Sequence, residues 1–172
     1  RRMSERLALI RTPPERVIDW WAFNGGGTEL LRRTYPKAQL TRVEAAPSGL
    51  HGTTMAPPWW SPQRWRAAQQ GPINVEAVGA GSAGLVWANM MLHLVADPQA
   101  QLRQWHRALA VDGFVMFSTL GPGSLQGLRG LYAQQGWPSP HAAFVDMHDL
   151  GDMMLHAGFA DPVMDQEWVT LT

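Results

Sequence analysis

The chain has 172 residues, of which 45% are hydrophobic and 16% charged, and its 14 basic and 14 acidic residues leave no net charge. This length buries one sizeable core, so we predict a single domain over residues 1–172. The charge balance argues against a dedicated surface for nucleic acid or anionic membranes. The lack of cysteine excludes disulfides and thiolate metal sites, and no apolar run reaches the roughly 18 residues that span a bilayer, so we expect a cytoplasmic protein.

The first quarter of the chain predicts a strand, a helix and a second strand. After an N-terminal amphipathic piece ended by Pro13-Pro14, residues Arg16–Asp19 form an apolar strand. The segment Thr28–Tyr35 has its apolar residues at helical spacing. The segment Ala38–Ala45 alternates and contains Glu44 near its end, which is typical of a strand.

Three glycines, Gly25–Gly27, separate the first strand from the first helix. Only a residue without Cβ lets the backbone approach a ligand closely or adopt a positive φ, so this loop predicts a nucleotide-type cofactor. Trp20, Trp21 and Phe23 stand just before the glycines.

The rest of the chain alternates between strands and helices. Residues 46–84 are the least regular part, with a short helix predicted around Gln63–Gln70 and a short strand around Ile73–Val78. Beyond them, strands are predicted at Leu85–Asn89, Gly113–Ser118 and Pro162–Leu171, and helices at Gln99–Leu109, Leu125–Gln134 and Met147–His156. Gly158 follows the last helix as a C-cap.

This alternation predicts an α/β fold with a doubly wound, mostly parallel sheet. Ligands of such sheets lie at the carboxyl ends of the strands, where Asp19, Glu44, Asn89 and Ser118 fall. A carboxylate after the second strand accepts hydrogen bonds from ribose hydroxyls, and Glu44 has the spacing for this role. The alternative is that Glu44 is a solvated strand end.

Several motifs are similar to the landmarks of class I S-adenosylmethionine-dependent methyltransferases: Arg16–Asp19, Tyr35–Ala38, Val43-Glu44, Leu85–His93, Arg107–Leu109 and Asp112–Phe114. A second group resembles the malonyl-acyl-carrier-protein O-methyltransferases of biotin synthesis: Phe117–Pro122, Phe144–Asp152 and Ala157–Asp165. Related mitochondrial complex I assembly factors share Pro140-His141 and Ala157–Phe159, which leaves a second, non-methylating interpretation.

The resemblance implies a Rossmann-like sheet of the class I methyltransferase type, in which we expect the first helix and the last hairpin of that fold to be lacking. It also implies methyl transfer from S-adenosylmethionine to the free carboxylate of a malonyl thioester on acyl carrier protein. A carboxylate is ionised at neutral pH and is its own nucleophile, so no catalytic side chain is expected. The six histidines have no ligand spacing, and no metal site is expected.

The same resemblance implies the residues that bind the cofactor. Asp19 and Gly25 would lie at its methionine end and Glu44 at its ribose, while Asn89, Met90 and Met91 would lie beside the adenosine.

His93, Ser118, Thr119 and Arg129 would face the substrate. The planar guanidinium of Arg129 suits bidentate binding of a malonyl carboxylate, although a solvated helix arginine is the simpler interpretation. His93 has the alternative of capping a loop.

The chain departs from the family pattern at Trp21 and Phe23, where that pattern has glycines. Either Gly25–Gly27 provide the close approach instead, or the rings of Trp20, Trp21 and Phe23 fill the pocket as core. The second outcome favours a catalytically inactive methyltransferase-like protein that acts as a binding or assembly partner.

Overall fold

The computed structural model describes residues 2–44 and 73–170. Five strands form one sheet: β1 (Arg16–Trp20), β2 (Gln39–Glu44), β3 (Ile73–Asn74), β4 (Ala83–Ala88) and β5 (Leu109–Phe117). Their order is β3-β2-β1-β4-β5, and every neighbouring pair is parallel. The predicted α/β fold with a doubly wound parallel sheet is confirmed.

The described residues contain six α-helices: α1 (Arg2–Glu5), α2 (Ala22–Gly25), α3 (Thr28–Thr34), α4 (Pro98–Ala108), α5 (Gln126–Gln134) and α6 (Met147–Ala157). Short 3-10 helices cover Arg6–Leu9, Val75–Ala77 and Leu92–Leu94. Gly158 ends α6 at a φ of 102°, where its N–H reaches the carbonyl of Leu155, as its prediction as a C-cap requires.

The described residues divide into two compact units. Of the described residues, the sheet unit contains 2–44, 73–91 and 107–118, and the helical unit contains 92–106 and 119–170. The prediction of a single domain over 1–172 stays a prediction. No helix in the described part of the chain has the length and apolar character needed to cross a bilayer.

The central strands of the sheet unit are apolar on both faces. β1 buries its last four residues and β4 buries five of its six, which is typical of a parallel strand covered on each side. A core cluster on one face joins the N-terminal segment, β1, α3 and β4 through Leu7, Val17, Leu31, Tyr35, Leu85 and Trp87. This cluster holds the carboxyl ends of β1 and β4 in fixed register.

The helical unit packs around α4 and α6. Leu102 and Trp105 of α4 and Met154 of α6 are buried, and the amide of Gln99 donates to the carbonyl of Met153 at 3.1 Å. The rings of His106 and Phe159 meet edge to face with centroids 5.2 Å apart.

Two predicted strands differ in the structure. The strand predicted at Ile73–Val78 ends after Asn74, because the Asn74 side chain accepts from the N–H of Glu76 and starts a 3-10 turn. The strand predicted at Pro162–Leu171 is wrong for its described residues, 162–170, which pair with no described strand. Val163 and Trp168 are 85% and 73% exposed, so their apolar character reflects no packing in the sheet. The helix predicted at Gln63–Gln70 lies outside the described residues.

Candidate functional site

The turn after β1 has a left-handed backbone at a tryptophan. Trp21 has φ 53° and ψ 52°, and its N–H donates to the carbonyl of Val43 at 2.7 Å. A bulky residue in this region costs about 1 kcal/mol or more, whereas glycine adopts it freely. The backbone thus has the conformation of a glycine at the position where the methyltransferase pattern has one.

The three aromatic residues near this turn have different environments. Trp20 is fully buried, Trp21 is half-buried, and Phe23 is 63% exposed. The indole N–H of Trp21 is buried and has no hydrogen-bond partner among the described residues. Trp20 therefore belongs to the core and Phe23 does not, and the alternative that these rings fill a cofactor pocket stays a hypothesis.

The glycines of the loop serve two different purposes. A Cβ on Gly25 would lie 3.0 Å from the carbonyl oxygen of Asn89, and one on Gly27 would overlap the indole of Trp87. Gly26, in contrast, has φ 60° and open space around its missing Cβ. Of the three, only Gly26 combines a positive φ with room for an approaching molecule.

Asp19 lies at the base of this loop and is fully buried. Its Oδ2 accepts a 2.6 Å hydrogen bond from the hydroxyl of Thr28, the first residue of α3. Its Oδ1 is buried and has no hydrogen-bond partner within the described segments, as is also true of the indole N–H of Trp87. Asp19 and Trp87 are register partners on β1 and β4, so two unsatisfied polar atoms belong to neighbouring strands.

The pKa of Asp19 is raised from its usual 3.8 to about 6, chiefly by burial and also by the nearby Glu44 carboxylate, against the opposing effects of Thr28 and Arg42. A carboxylate that is so poorly solvated gains more from a cationic partner than an exposed one does.

Glu44 ends β2, as predicted, and accepts a 2.9 Å hydrogen bond from the backbone N–H of Phe23 through Oε1. This bond ties the carboxylate to the turn after β1. Glu44 is therefore not simply a solvated strand end.

Asn89 and Ser118 follow β4 and β5 and contact each other. The Asn89 amide donates to the Gly25 carbonyl at 2.7 Å, and its Oδ1 accepts from the Ser118 hydroxyl at 2.7 Å. The N–H of Met90, which has φ 53°, lies 3.0 Å from the Ser118 carbonyl oxygen and 3.1 Å from its hydroxyl oxygen. Met90 is 39% exposed, whereas Met91 is fully buried, so the Met91 side chain belongs to the core.

The helical unit brings His93 and Thr119 together. The Thr119 hydroxyl lies 3.5 Å from Nδ1 of His93, and the ring of Phe144 meets the His93 ring edge to face. Partial burial lowers the pKa of His93, so this imidazole is neutral at pH 7. The ring of His141 stacks on Phe144 with centroids 4.2 Å apart.

Arg129 lies on α5 and is exposed. Together with Ser139 it lines two adjoining grooves, one with Tyr132 and Trp137 and the other with His141 and Phe144. The larger groove has a volume of about 510 Å³. Arg129 is thus a cation beside aromatic rings.

The predicted site residues therefore fall into two groups. Around the turn after β1, the sheet unit gathers Asp19, Gly25, Glu44, Asn89, Met90 and Ser118. The helical unit contains His93, Thr119 and Arg129. Sequence reasoning missed Thr28 and Trp87; for Thr28 the available signal was a hydroxyl at the first position of a helix that follows a buried carboxylate.

Comparison with known proteins places the chain in a family. A family model described as a methyltransferase domain matches residues 1–161. The chain belongs to this methyltransferase domain family. The strands, the turn after β1 and both groups of predicted site residues lie within the matched part.

The most similar curated relatives share a name. The chain is 40% identical to a malonyl-[acyl-carrier protein] O-methyltransferase of Laribacter hongkongensis over 99% of its own length and 59% of that protein. It is 38% identical to a protein of the same name in Gallionella capsiferriformans, with 99% and 60% covered. The chain spans about three fifths of the length of these relatives.

Solved methyltransferase structures share the fold at low sequence identity. A structure from Nostoc punctiforme is described as that of a putative O-methyltransferase. It aligns with a TM-score of 0.60 and 19% identity, over 93% of this chain and 50% of that one. PigF with SAH aligns with a TM-score of 0.60 and 15% identity, over 94% and 49%. The class I methyltransferase fold predicted for this chain is confirmed.

Proposed function

We propose that this methyltransferase domain transfers a methyl group from S-adenosylmethionine to the free carboxylate of a malonyl thioester on acyl carrier protein, in biotin synthesis. The observation that carries the proposal is the similarity, over almost the whole chain, to relatives that bear this name. Because the chain spans only part of those relatives, their substrate and partner are proposed for it by analogy. Residence in the cytoplasm is proposed on the same basis.

The residues around the turn after β1 fit such a cofactor. The Oδ1 of Asp19, which has no hydrogen-bond partner among residues 2–44 and 73–170, suits the cationic amino group, the carboxylate of Glu44 suits the ribose hydroxyls, and Gly26 leaves open space beside the backbone. Asn89 and Met90 would lie at the adenosine, with Met91 supporting them from the core. When bound, the sulfonium supplies an activated methyl group.

The domain's own residues then have a small chemical task. A malonyl carboxylate is already ionised at neutral pH, so no side chain needs to remove a proton before it attacks. The protein contributes binding, orientation and exclusion of water.

Arg129 is the residue we assign to the malonyl carboxylate. Its guanidinium is a planar cation that offers two parallel N–H donors, whereas the His93 imidazole, whose pKa is lowered by partial burial, offers one. His93 and Thr119 would contribute single neutral hydrogen bonds near the thioester. If an Arg129 variant binds malonyl-acyl carrier protein as well as the wild type does, this role is wrong and Arg129 is only a solvated arginine.

A paired assay tests the function. The 172-residue chain is incubated with labelled S-adenosylmethionine and either malonyl- or acetyl-acyl carrier protein, which differ in the free carboxylate. We expect label on the malonyl form alone, as a base-labile methyl ester. Calorimetry with S-adenosylhomocysteine separates the alternatives: binding without transfer contradicts the acceptor, and no binding favours the inactive binding partner.

A further inference from the structure

We infer that Ser118 is a positioning residue, which acts on the proposed cofactor site through Asn89 and does not contact the substrate. The inference rests on the proposed function for its ligand, but the geometry that carries it is independent of any ligand. The relevant contacts join the carboxyl ends of the neighbouring strands β1, β4 and β5.

The Ser118 hydroxyl takes part in two hydrogen bonds, one as an acceptor and one as a donor. Its oxygen lies 3.1 Å from the Met90 N–H, which makes it an acceptor there, and 2.7 Å from Oδ1 of Asn89. A carbonyl oxygen cannot donate, so the hydroxyl hydrogen must point at Asn89. A hydroxyl whose only hydrogen is committed to Asn89 has none left to donate to a substrate carboxylate.

The Gly25 carbonyl selects the orientation of the Asn89 amide, and the Ser118 hydroxyl holds the amide in that orientation. With Oδ1 held by Ser118, the opposite side of the amide presents Nδ2 to the Gly25 carbonyl at 2.7 Å. In the flipped orientation, an oxygen of Asn89 would face the oxygen of Gly25, and two acceptors would repel each other. The Gly25 carbonyl therefore requires the observed orientation, and the hydrogen bond from Ser118 strengthens it from the opposite side of the amide.

The Gly25 carbonyl matters because it belongs to the last residue of α2. Carbonyls in the final turn of a helix have no partner within that helix, and this short helix gains one from Asn89. Gly25 is also in close contact with the Asn89 backbone, since an added Cβ would lie 3.0 Å from its oxygen. Ser118, Asn89 and Gly25 thus form a chain of contacts that anchors α2 between Trp21 and Gly26.

A matched pair of variants tests the role of the hydroxyl. Ser118→Thr keeps the hydroxyl, and Ser118→Val introduces a side chain that has the shape of threonine but no hydroxyl. We expect Ser118→Val to weaken S-adenosylhomocysteine binding about 10-fold, as loss of one useful hydrogen bond does, and Ser118→Thr to stay within about 3-fold of the wild type. Thr34→Val, which removes an exposed helical hydroxyl, is the control for a general loss of stability.

A double-mutant cycle tests whether Ser118 acts through Asn89. Asn89→Ala should weaken binding by a similar factor, and adding Ser118→Val to it should weaken binding no further. Additive losses, or equal affinities of the Thr and Val variants of Ser118, would overturn the inference.

Hydrogen exchange of the ligand-free protein provides a readout that needs no cofactor. The amides of Gly25 and Gly26, which bond within the turn to the carbonyls of Trp21 and Ala22, should exchange about 10-fold faster in Ser118→Val and remain protected in Ser118→Thr. If the wild type binds no S-adenosylhomocysteine, the proposed function fails and this exchange difference alone decides the role of Ser118. Unchanged exchange in Ser118→Val contradicts it.

Discussion

The turn after β1 and the grooves beside Arg129 handle polar groups in opposite ways. Around the turn, Asp19 is fully buried and accepts a hydrogen bond from the Thr28 hydroxyl. The Asn89 amide both donates and accepts a hydrogen bond. Arg129 lies exposed on α5, a helix with no buried residue. The first region is organised before any ligand arrives, whereas the second exposes its charge to water.

This difference indicates which substitutions will change stability and which will change ligand binding. Changes at the turn should alter both the stability of the fold and the affinity for a nucleoside, because the same contacts serve both. Changes at Arg129 should alter binding of the methyl acceptor alone.

The largest effect is expected at Asp19. Because burial raises its pKa from 3.8 to about 6, the folded protein binds more protons than the unfolded chain between these values. The contribution of Asp19 to stability is therefore highest below pH 4 and falls by about 3 kcal/mol as the pH rises through 6, at about 1.36 kcal/mol per pH unit.

Urea denaturation of Asp19→Asn and the wild type at several pH values checks this. Asparagine cannot ionise, so the variant should gain about 3 kcal/mol relative to the wild type between about pH 4 and pH 7. A difference that stays constant over this range would show that Asp19 keeps an ordinary pKa.

Gly27→Ala should have the next largest effect. The added methyl would overlap the buried indole of Trp87 and lie 3.3 Å from Oδ1 of Asp19, so we expect a loss of about 2 kcal/mol. Gly130→Ala, in the interior of the exposed helix α5 with open space around it, is the matched control and should gain about 1 kcal/mol. If Gly27→Ala and Gly130→Ala change the free energy of unfolding in the same direction, the predicted difference between the two positions is wrong.

Trp21→Gly should change stability less. Relief of the left-handed backbone, worth about 1 kcal/mol, offsets part of the stabilisation that packing of the half-buried ring provides. S-adenosylhomocysteine should bind more tightly to Trp21→Gly, and to the double variant with Phe23→Gly, if the rings obstruct it. Calorimetry that finds no gain, with a loss of stability above about 3 kcal/mol, would identify Trp21 as core with no pocket beneath.

Arg129→Ala should leave the fold almost untouched, within about 0.5 kcal/mol, because the residue is exposed. The KM for malonyl-acyl carrier protein should rise about 10-fold while the Kd of S-adenosylhomocysteine stays the same. Arg129→Lys should recover only part of the affinity, since an ammonium cannot bind a carboxylate through two parallel donors. An unchanged KM would return Arg129 to the role of a solvated arginine.

Local patterns in the sequence were sufficient to predict the central strands and the polar residues at their ends. Arg16–Trp20 and Ala83–Ala88 are rich in apolar residues because both of their faces are mostly covered, and this signal lies within each segment. The final strand was overpredicted, because the apolar residues Val163 and Trp168 are exposed and only tertiary contacts distinguish such residues from a packed strand.

The purpose of the glycines was not available from local sequence. Gly25 and Gly27 were expected to admit a ligand, yet their missing side chains make room for Asn89 and Trp87, which lie far along the chain. The left-handed backbone at Trp21 was equally hidden, since tryptophan has no preference for that conformation.

The adjacent residues Met90 and Met91 will differ in how readily they are oxidised. Met90 exposes 39% of its surface beside the turn, and Met91 exposes none. Peroxide converts accessible thioethers to sulfoxides first, so oxidation of this pair will begin at Met90. Oxidative damage would thus add a polar, chiral sulfoxide beside the proposed adenosine position while the methionine beneath it still keeps the core intact.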